Sequence, residues 1–350
     1  MTTNEQVLNA LKRHNVELFD GWERVKRIRT GSIAFDNILG GGLPIGRITQ
    51  VYGAESVGKS TFCYLTAASI TQNKQYVFWV DSEGSHDPDW AITLGVDLDY
   101  LHIYRPKFAE TAFEIIISMM NEGVYNLIII DSIVGFAFRA VVEAGFDKVP
   151  MGGRARAIGT FLSIVRNKLV DSDTAMLLCN QVRANLKPYG GDTMRPGGKQ
   201  LEHDSDIIVN MLTPVVAPPD PSPSNPIKTI TLRPKIKKNR TAPRRGFSAE
   251  VVLHVQEEQV VSRTTDVVAL GRELGIFTNK DGDPLRGAAK PHYNGVDLVY
   301  DGEGADKIVG TGSTDAKVRV YLSMHPELED EIYDEIQTRI GGPTHEAQSS

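Results

Sequence analysis

Gly53-Ala54-Glu55-Ser56-Val57-Gly58-Lys59-Ser60 satisfies the spacing G-x-x-x-x-G-K-[ST] at every fixed position, and Thr61 follows it. Such a loop lets backbone N–H groups turn toward phosphate oxygens. Lys59 then reaches the β- and γ-phosphates of a nucleotide, and the Ser60 hydroxyl serves as a ligand to Mg²⁺. A glycine-rich turn with a solvated lysine would need no particular neighbours. Here a strand-like run, Arg47 to Tyr52, precedes the loop, and an apolar helical stretch, Lys59 to Thr71, follows it.

Three apolar runs end in polar residues suited to the same chemistry. Leu127 to Ile130 ends at Asp131, Tyr76 to Val80 ends at Asp81-Ser82-Glu83, and Ala175 to Cys179 ends at Asn180-Gln181. In parallel sheets the carboxyl edge of the strands is where ligands bind. Asp131 can hold Mg²⁺ there, or cap the turn that follows. Glu83 can orient and deprotonate a water attacking the γ-phosphate, or act as a strand-end cap. Gln181 can sense the γ-phosphate through its amide, or serve structure alone. Together with the loop, these residues predict nucleotide triphosphate hydrolysis without saying what work it drives.

Positioning such a cluster takes short buried strands alternating with helices. The order strand, loop, helix from Ile48, with helices at Thr111–Met120 and Arg156–Leu169, predicts an α/β fold with a mostly parallel sheet covered on both faces. After Ile207 the pattern changes. Ile207–Leu212, Lys228–Leu232, Ala249–Val255 and Gln259–Ser262 read as antiparallel strands, with the proline-rich Ala217–Pro226 as an extended loop between two of them. Asn4–Phe19 reads as a short amphipathic helix. Thr265–Leu274, a hairpin at Tyr293-Asn294-Gly295 and a helix over Pro326–Arg339 form a smaller unit. No run reaches the roughly 18 uncharged apolar residues of a membrane span. The first residues lack a signal-peptide core, and the two cysteines, Cys63 and Cys179, cannot build a disulfide framework. A cytoplasmic, reducing setting is expected.

The ordered set of motifs resembles the RecA strand-exchange recombinases. Thr30–Asp36 and Gly41–Ile48 resemble the entry into that family's ATPase core, and Gly53–Thr61 its nucleotide loop. Val80–Glu83, Asp87-Pro88 and Leu94–Asp99 follow its second strand, and Ile130–Ile133 its magnesium strand. Asn180–Arg183 and Gly197-Gly198 bracket its second DNA-binding loop. The resemblance implies a P-loop NTPase, RecA-like core over 30–262, an N-terminal oligomerisation segment at 1–29, a small α+β domain at 263–340 and a flexible tail at 341–350. It implies that Glu83 is the catalytic glutamate, that Gln181 couples the γ-phosphate to the DNA loop, that Asp87 bonds the adenine and that Trp90 stacks on it. It implies a first DNA loop at Glu143–Arg156, with Met151, Gly152, Gly153, Arg154 and Arg156. A second spans Val182–Gly198, with Arg183, Lys187, Tyr189, Arg195, Gly197 and Gly198. Lys238 and Arg240 match a pair of cations that reach a neighbouring subunit's ATP, with arginine at the second place where the family usually has lysine.

Charge agrees with that reading once it is divided. The chain carries −6 overall, but residues 1–256 carry +3 and residues 257–350 carry −9. Pro150–Lys199 holds 8 Lys+Arg against 3 Asp+Glu, and Arg233–Arg245 holds 7 basic residues in 13 with no acid. Arginine, lysine and glycine at this density suit sequence-independent backbone contact. The expected function is an ATP- and Mg²⁺-dependent recombinase. It would form a helical homo-oligomeric filament on single-stranded DNA and exchange strands with homologous double-stranded DNA. Single-strand-binding or loader proteins are further partners of that kind of machine, and a membrane is not. Two rivals share parts of the pattern: a hexameric helicase of the same core fold, and a nucleotide-binding mediator without strand exchange.

Overall fold

The computed structural model describes residues 13, 25–139, 142, 153–184, 193–194, 198–216, 229–254, 260–261, 263–283, 285, 291–294, 296–298 and 314–341. The helix expected at Asn4–Phe19 (Arg13 apart), the loop Ala217–Pro226 and the tail beyond Gly341 lie outside the described residues.

The chain enters through β1 (Arg27–Ile28), which pairs antiparallel with β2 (Leu43–Pro44) around α1 (Ile33–Leu39). The Ser32 hydroxyl accepts from Phe35 N–H at the N-terminus of α1, and Gly40 ends the helix in the left-handed region. The core then alternates as its apolar runs demand: β3 (Ile48–Gly53), α2 (Lys59–Thr71), β4 (Tyr76–Asp81), α3 (Pro88–Thr93), β5 (Leu101–Tyr104), α4 (Ala109–Glu122), β6 (Tyr125–Asp131), α5 (Gly153–Leu169) and β7 (Ala175–Gln181). A two-residue pairing of β8 (Arg183–Ala184) with β9 (Thr193–Met194) leads to α6 (Gly198–Asp204). The strands β10 (Ile207–Val216), β11 (Ile230–Asn239) and β12 (Val251–Leu253) complete the sheet.

The sheet runs in the order β12-β11-β10-β3-β7-β6-β4-β5. From β10 to β5 every neighbour is parallel, and β11 and β12 add antiparallel pairs at one edge. The strand β10 therefore departs from the sequence expectation. It is antiparallel only to β11 and joins β3 in parallel, from Ile207↔Thr49 to Met211↔Gly53. Its Ile207-Ile208-Val209 run is fully buried, which is the mark of an interior parallel strand. The basic stretch also extends β11: Leu232, Pro234 and Ile236 point inward while Lys235 and Lys237 face solvent.

One apolar cluster packs α1 and α2 against one face of the sheet, and a second packs α4 and α5 against the other. A third collects residues from α7 (Arg263–Glu273), the hairpin β13 (His292–Tyr293) and β14 (Val296–Asp297), α8 (Thr314–Ser323) and α9 (Pro326–Ile340), together with Ile33 of α1. Among the described residues no helix is long and apolar enough to cross a membrane.

Ile33 marks a seam that two buried carboxylates organise. Asp36 accepts from Thr30 N–H at 3.0 Å and Thr30 Oγ1 at 2.8 Å, and Asp266 accepts from the Ser32 hydroxyl at 3.0 Å. Burial pushes both up to about 6. Between its unfolded value of 3.8 and about 6, Asp266 holds its proton in the folded chain and not in the unfolded one. Its contribution is therefore fully favourable at low pH and is lost as pH rises through that window. Asp266→Asn keeps the shape without the charge. Relative to wild type it should gain stability as pH rises from 4 to 6, by up to about 3 kcal/mol at pH 7, read by urea unfolding. A difference that does not change with pH would mean that Asp266 ionises freely in the fold.

Candidate active site

The loop between β3 and α2 is built by backbone geometry. Gly58 has φ +92°, and a Cβ there would stand 2.6 Å from Leu232 Cδ2. Ser56 also takes a positive φ of 57°. Helix α2 starts at Gly58 with no side chain capping its first N–H groups, whereas α1 and α3 are capped by Ser32 and Asp87. A helix N-terminus left to its backbone donors is an anion site. Lys59 Nζ donates to Ala54 O at 2.6 Å, so the ammonium lies folded over its own loop. Glu55 and Ser56 are exposed, while the Val57 side chain is buried and leaves only its backbone to the loop.

The strand-end polar residues meet beside this loop. Ser60 Oγ donates to Asp131 Oδ2 at 2.7 Å. Burial raises the Asp131 carboxyl above its ordinary range, the Ser60 hydrogen bond opposes this, and the charge of Glu83 adds to it. A hydroxyl and a carboxylate held together suit a hard, oxygen-seeking cation, so these residues fit Mg²⁺. Register aligns Asp81 with Asp131 on β4 and β6, and Gly53 with Gln181 on β3 and β7. Gln181 Nε2 then donates to Glu83 Oε1 at 2.8 Å, and the Ser132 hydroxyl donates to the same oxygen. Gly135 closes over this pair: a Cβ there would meet Ser82 Oγ at 2.5 Å and Glu83 Cγ at 2.9 Å.

Two contributors were given no role by the sequence reading. Ser132, directly after the strand-end acid, orients Glu83. Arg105, one residue past β5, donates from Nε to Asp81 Oδ2 at 2.9 Å. Asp81 also accepts from Ser85 and His86 N–H and so fixes the turn carrying Glu83. For Arg105 the signal available was position alone, just beyond a strand at the same edge; Ser132 stands inside the Ile130–Ile133 run, which named it without a role.

A cavity of ≈ 230 Å³ opens beside the loop, lined by Ser56, Lys59, Thr61, Trp90, Pro214 and Leu232 among others. Trp90 Nε1 donates to Thr61 Oγ1 at 3.3 Å, which brings the indole to the nucleotide loop. Asp87 caps α3 by accepting from Trp90 N–H at 3.0 Å, and its own N–H donates to the Tyr64 hydroxyl at 2.9 Å. Beneath the loop Cys63 and Cys179 are free and buried thiols with Sγ atoms 3.2 Å apart. Burial raises the Cys63 thiol, and its contact with Cys63 together with burial drives Cys179 well up.

The expected trans cations are placed differently from one another. Arg240 has an exposed side chain, and its backbone N–H donates to Asp206 O at 3.0 Å. Lys238 is turned inward onto the end of α6. Of the expected DNA residues, Gly153, Arg154 and Arg156 belong to the first turn of α5 rather than to a loop, with both arginines exposed. Arg154 lies over the Phe138 ring at 5.8 Å. Arg183 begins β8, and Gly198 begins α6. Met151, Gly152, Lys187, Tyr189, Arg195 and Gly197 lie outside the described residues.

The family description of the RecA N-terminal domain matches residues 16–255. The chain belongs to the RecA family. Protein RecA of Aquifex aeolicus (strain VF5) is 29% identical over 320 residues, which cover 91% of this chain and 85% of the relative. Protein RecA of Aquifex pyrophilus is 30% identical over 310 residues, covering 88% of this chain and 81% of the relative. Protein RecA of Staphylococcus aureus (strain Newman) is 28% identical over 320 residues, covering 91% and 84%. Membership of the RecA family ties the chain to DNA recombination and repair, to ATP and DNA binding, and to a P-loop ATPase core with a mostly parallel sheet.

Proposed function

We propose that this chain is an ATP-dependent homologous recombinase. It forms a helical filament on single-stranded DNA and exchanges that strand with homologous duplex, hydrolysing ATP at subunit interfaces in a DNA-stimulated way. The observation that carries the reading is the hydrogen bond from Gln181 to Glu83. It joins an acid beside the nucleotide loop to the strand that runs directly into residues 182–198.

In this mechanism the loop N–H groups and Lys59 bind the phosphates, with Gly53, Glu55, Ser56, Val57, Gly58 and Thr61 shaping the loop. Ser60 and Asp131 would hold Mg²⁺, which would supply neutralisation of phosphate charge. Glu83 orients the attacking water and takes its proton. Ser132 keeps Glu83 aimed, and Asp81 with Arg105 fixes the turn beneath it. Trp90 stacks on the base in the neighbouring cavity, and Asp87 accepts from the adenine. The Gln181 amide has two N–H donors and gives one to Glu83; turning toward the γ-phosphate would change that contact and pass nucleotide state to the DNA segment. Lys238 and Arg240 stabilise transition-state charge on a neighbour's ATP.

Gly153, Arg154, Arg156, Arg183 and Gly198, with Met151, Gly152, Lys187, Tyr189, Arg195 and Gly197, contact DNA backbones, while base pairing tests homology. The reading divides the chain into an oligomerisation segment to residue 29, a core over 30–262 and a C-terminal unit over 263–340. Loader or single-strand-binding proteins would act on the filament, in a cytoplasmic setting.

A joint-molecule assay tests this. A labelled single strand should pair with homologous duplex, and not with heterologous duplex, only in the presence of ATP. Duplex unwinding without pairing would instead indicate a helicase of the same core fold. Nucleotide binding with neither activity would indicate a mediator.

A further inference from the structure

Lys238 has a seat inside its own subunit. From β11 its ammonium donates to Glu202 O at 2.7 Å, His203 O at 3.1 Å and Ser205 O at 2.6 Å. These carbonyls are in the last turn of α6 and just beyond it. A helix leaves its final carbonyls without intrahelical donors, and a cation placed there satisfies them and opposes the negative end of the helix dipole. An ammonium has three N–H groups, and all three are used. The other groups at this end do not replace it. Arg166 pairs with the Asp204 carboxylate at 3.5 Å, and Gln200 Nε2 donates to the other oxygen of that carboxylate at 2.7 Å. Neither Arg166 nor Gln200 is directed at the carbonyls Lys238 holds. The opposite end of α6 is Gly198, where residues 182–198 rejoin the described fold.

We propose that Lys238 has two exclusive positions: the C-terminal cap of α6 in the free subunit, and the phosphates of a neighbour's ATP in the assembled filament. This rests on the trans-cation reading above and adds a consequence to it. An ammonium with all its donors committed in cis cannot also bind a phosphate. Reaching the neighbour therefore uncaps α6, and ATP bound at one interface loosens the helix that anchors the DNA segment of the subunit supplying the lysine. Arg240, two residues on with its side chain exposed, reaches out without disturbing α6. The two cations are thus unequal: Lys238 positions the DNA segment in cis as well as acting in trans.

Hydrogen–deuterium exchange of the full chain, read on the peptide over residues 198–206, tests the proposal. In dilute protein without nucleotide or DNA, Lys238→Ala should speed exchange in the last turn of α6 by about tenfold or more, the effect of removing hydrogen bonds to a charged group. Lys238→Arg, which still donates to carbonyls, should stay close to wild type, and Arg240→Ala should match wild type. With single-stranded DNA and a non-hydrolysable ATP analogue, the difference between wild type and Lys238→Ala should vanish, since neither then has the cap.

Equal exchange of wild type and Lys238→Ala in the free subunit would overturn the cap. A difference that persists after assembly would overturn the exchange of positions. If Lys238→Ala does not assemble, the wild type decides: its α6 exchange should rise toward the rate of the free variant, and a fall would overturn the proposal. Wild-type DNA-stimulated turnover in Arg240→Ala, with the cap intact, would count against the trans reading alone.

Discussion

Lys59→Ala should lower ATP turnover to below about one per cent of wild type, the scale expected when one preorganised donor to transition-state charge is removed. The fold should survive, because among the described residues the Lys59 ammonium donates to carbonyls of its own loop, Ala54 at 2.6 Å and Gly53 at 3.4 Å. No core side chain depends on it. In the proposed mechanism those local contacts give way to phosphate oxygens, where the charge acts on the reaction. Turnover assays beside a far-ultraviolet circular dichroism spectrum check both halves. Normal turnover in the variant would remove the phosphate loop from the mechanism.

Glu83→Gln should separate binding from chemistry. The amide oxygen can still accept from Gln181 and Ser132, so the side chain keeps its place. It can no longer take a proton from water. Turnover should fall by about 10² or more, the contribution of a positioned general base, while ATP and DNA binding remain. Near-wild-type turnover would reject Glu83 as the base. Loss of ATP binding in a folded variant would assign it a structural role instead.

Much of this site was legible because it follows local rules. Buried parallel strands read as short apolar runs, and the polar residue ending each run, Asp131, Glu83 or Gln181, falls on one edge of the sheet. The phosphate loop is legible for the same reason, since Gly58 answers to a positive φ and Gly53 to the close approach of Met211 O and Val57.

What sequence did not show depends on distant pairing. The direction of β10 is set by its contact with β3, far away in the chain. Ser132 and Arg105 act through residues 49 and 24 positions away. The cis position of Lys238 is hidden for a different reason. Its partners are carbonyls, which every residue carries, so no residue type announces them. The charge division near residue 257 falls between β12 and α7, while the seam that joins the two regions, Asp36 and Asp266 beside Ile33, left no sign in composition.

The proposed coupling between nucleotide site and DNA is measured most directly by ATP turnover of the wild-type protein with and without single-stranded DNA. If Gln181 links the γ-phosphate to the segment after β7, turnover should rise steeply as single-stranded DNA is added. The rise should be lost at salt concentrations that release backbone contacts. Turnover that stays the same at saturating single-stranded DNA would contradict the link.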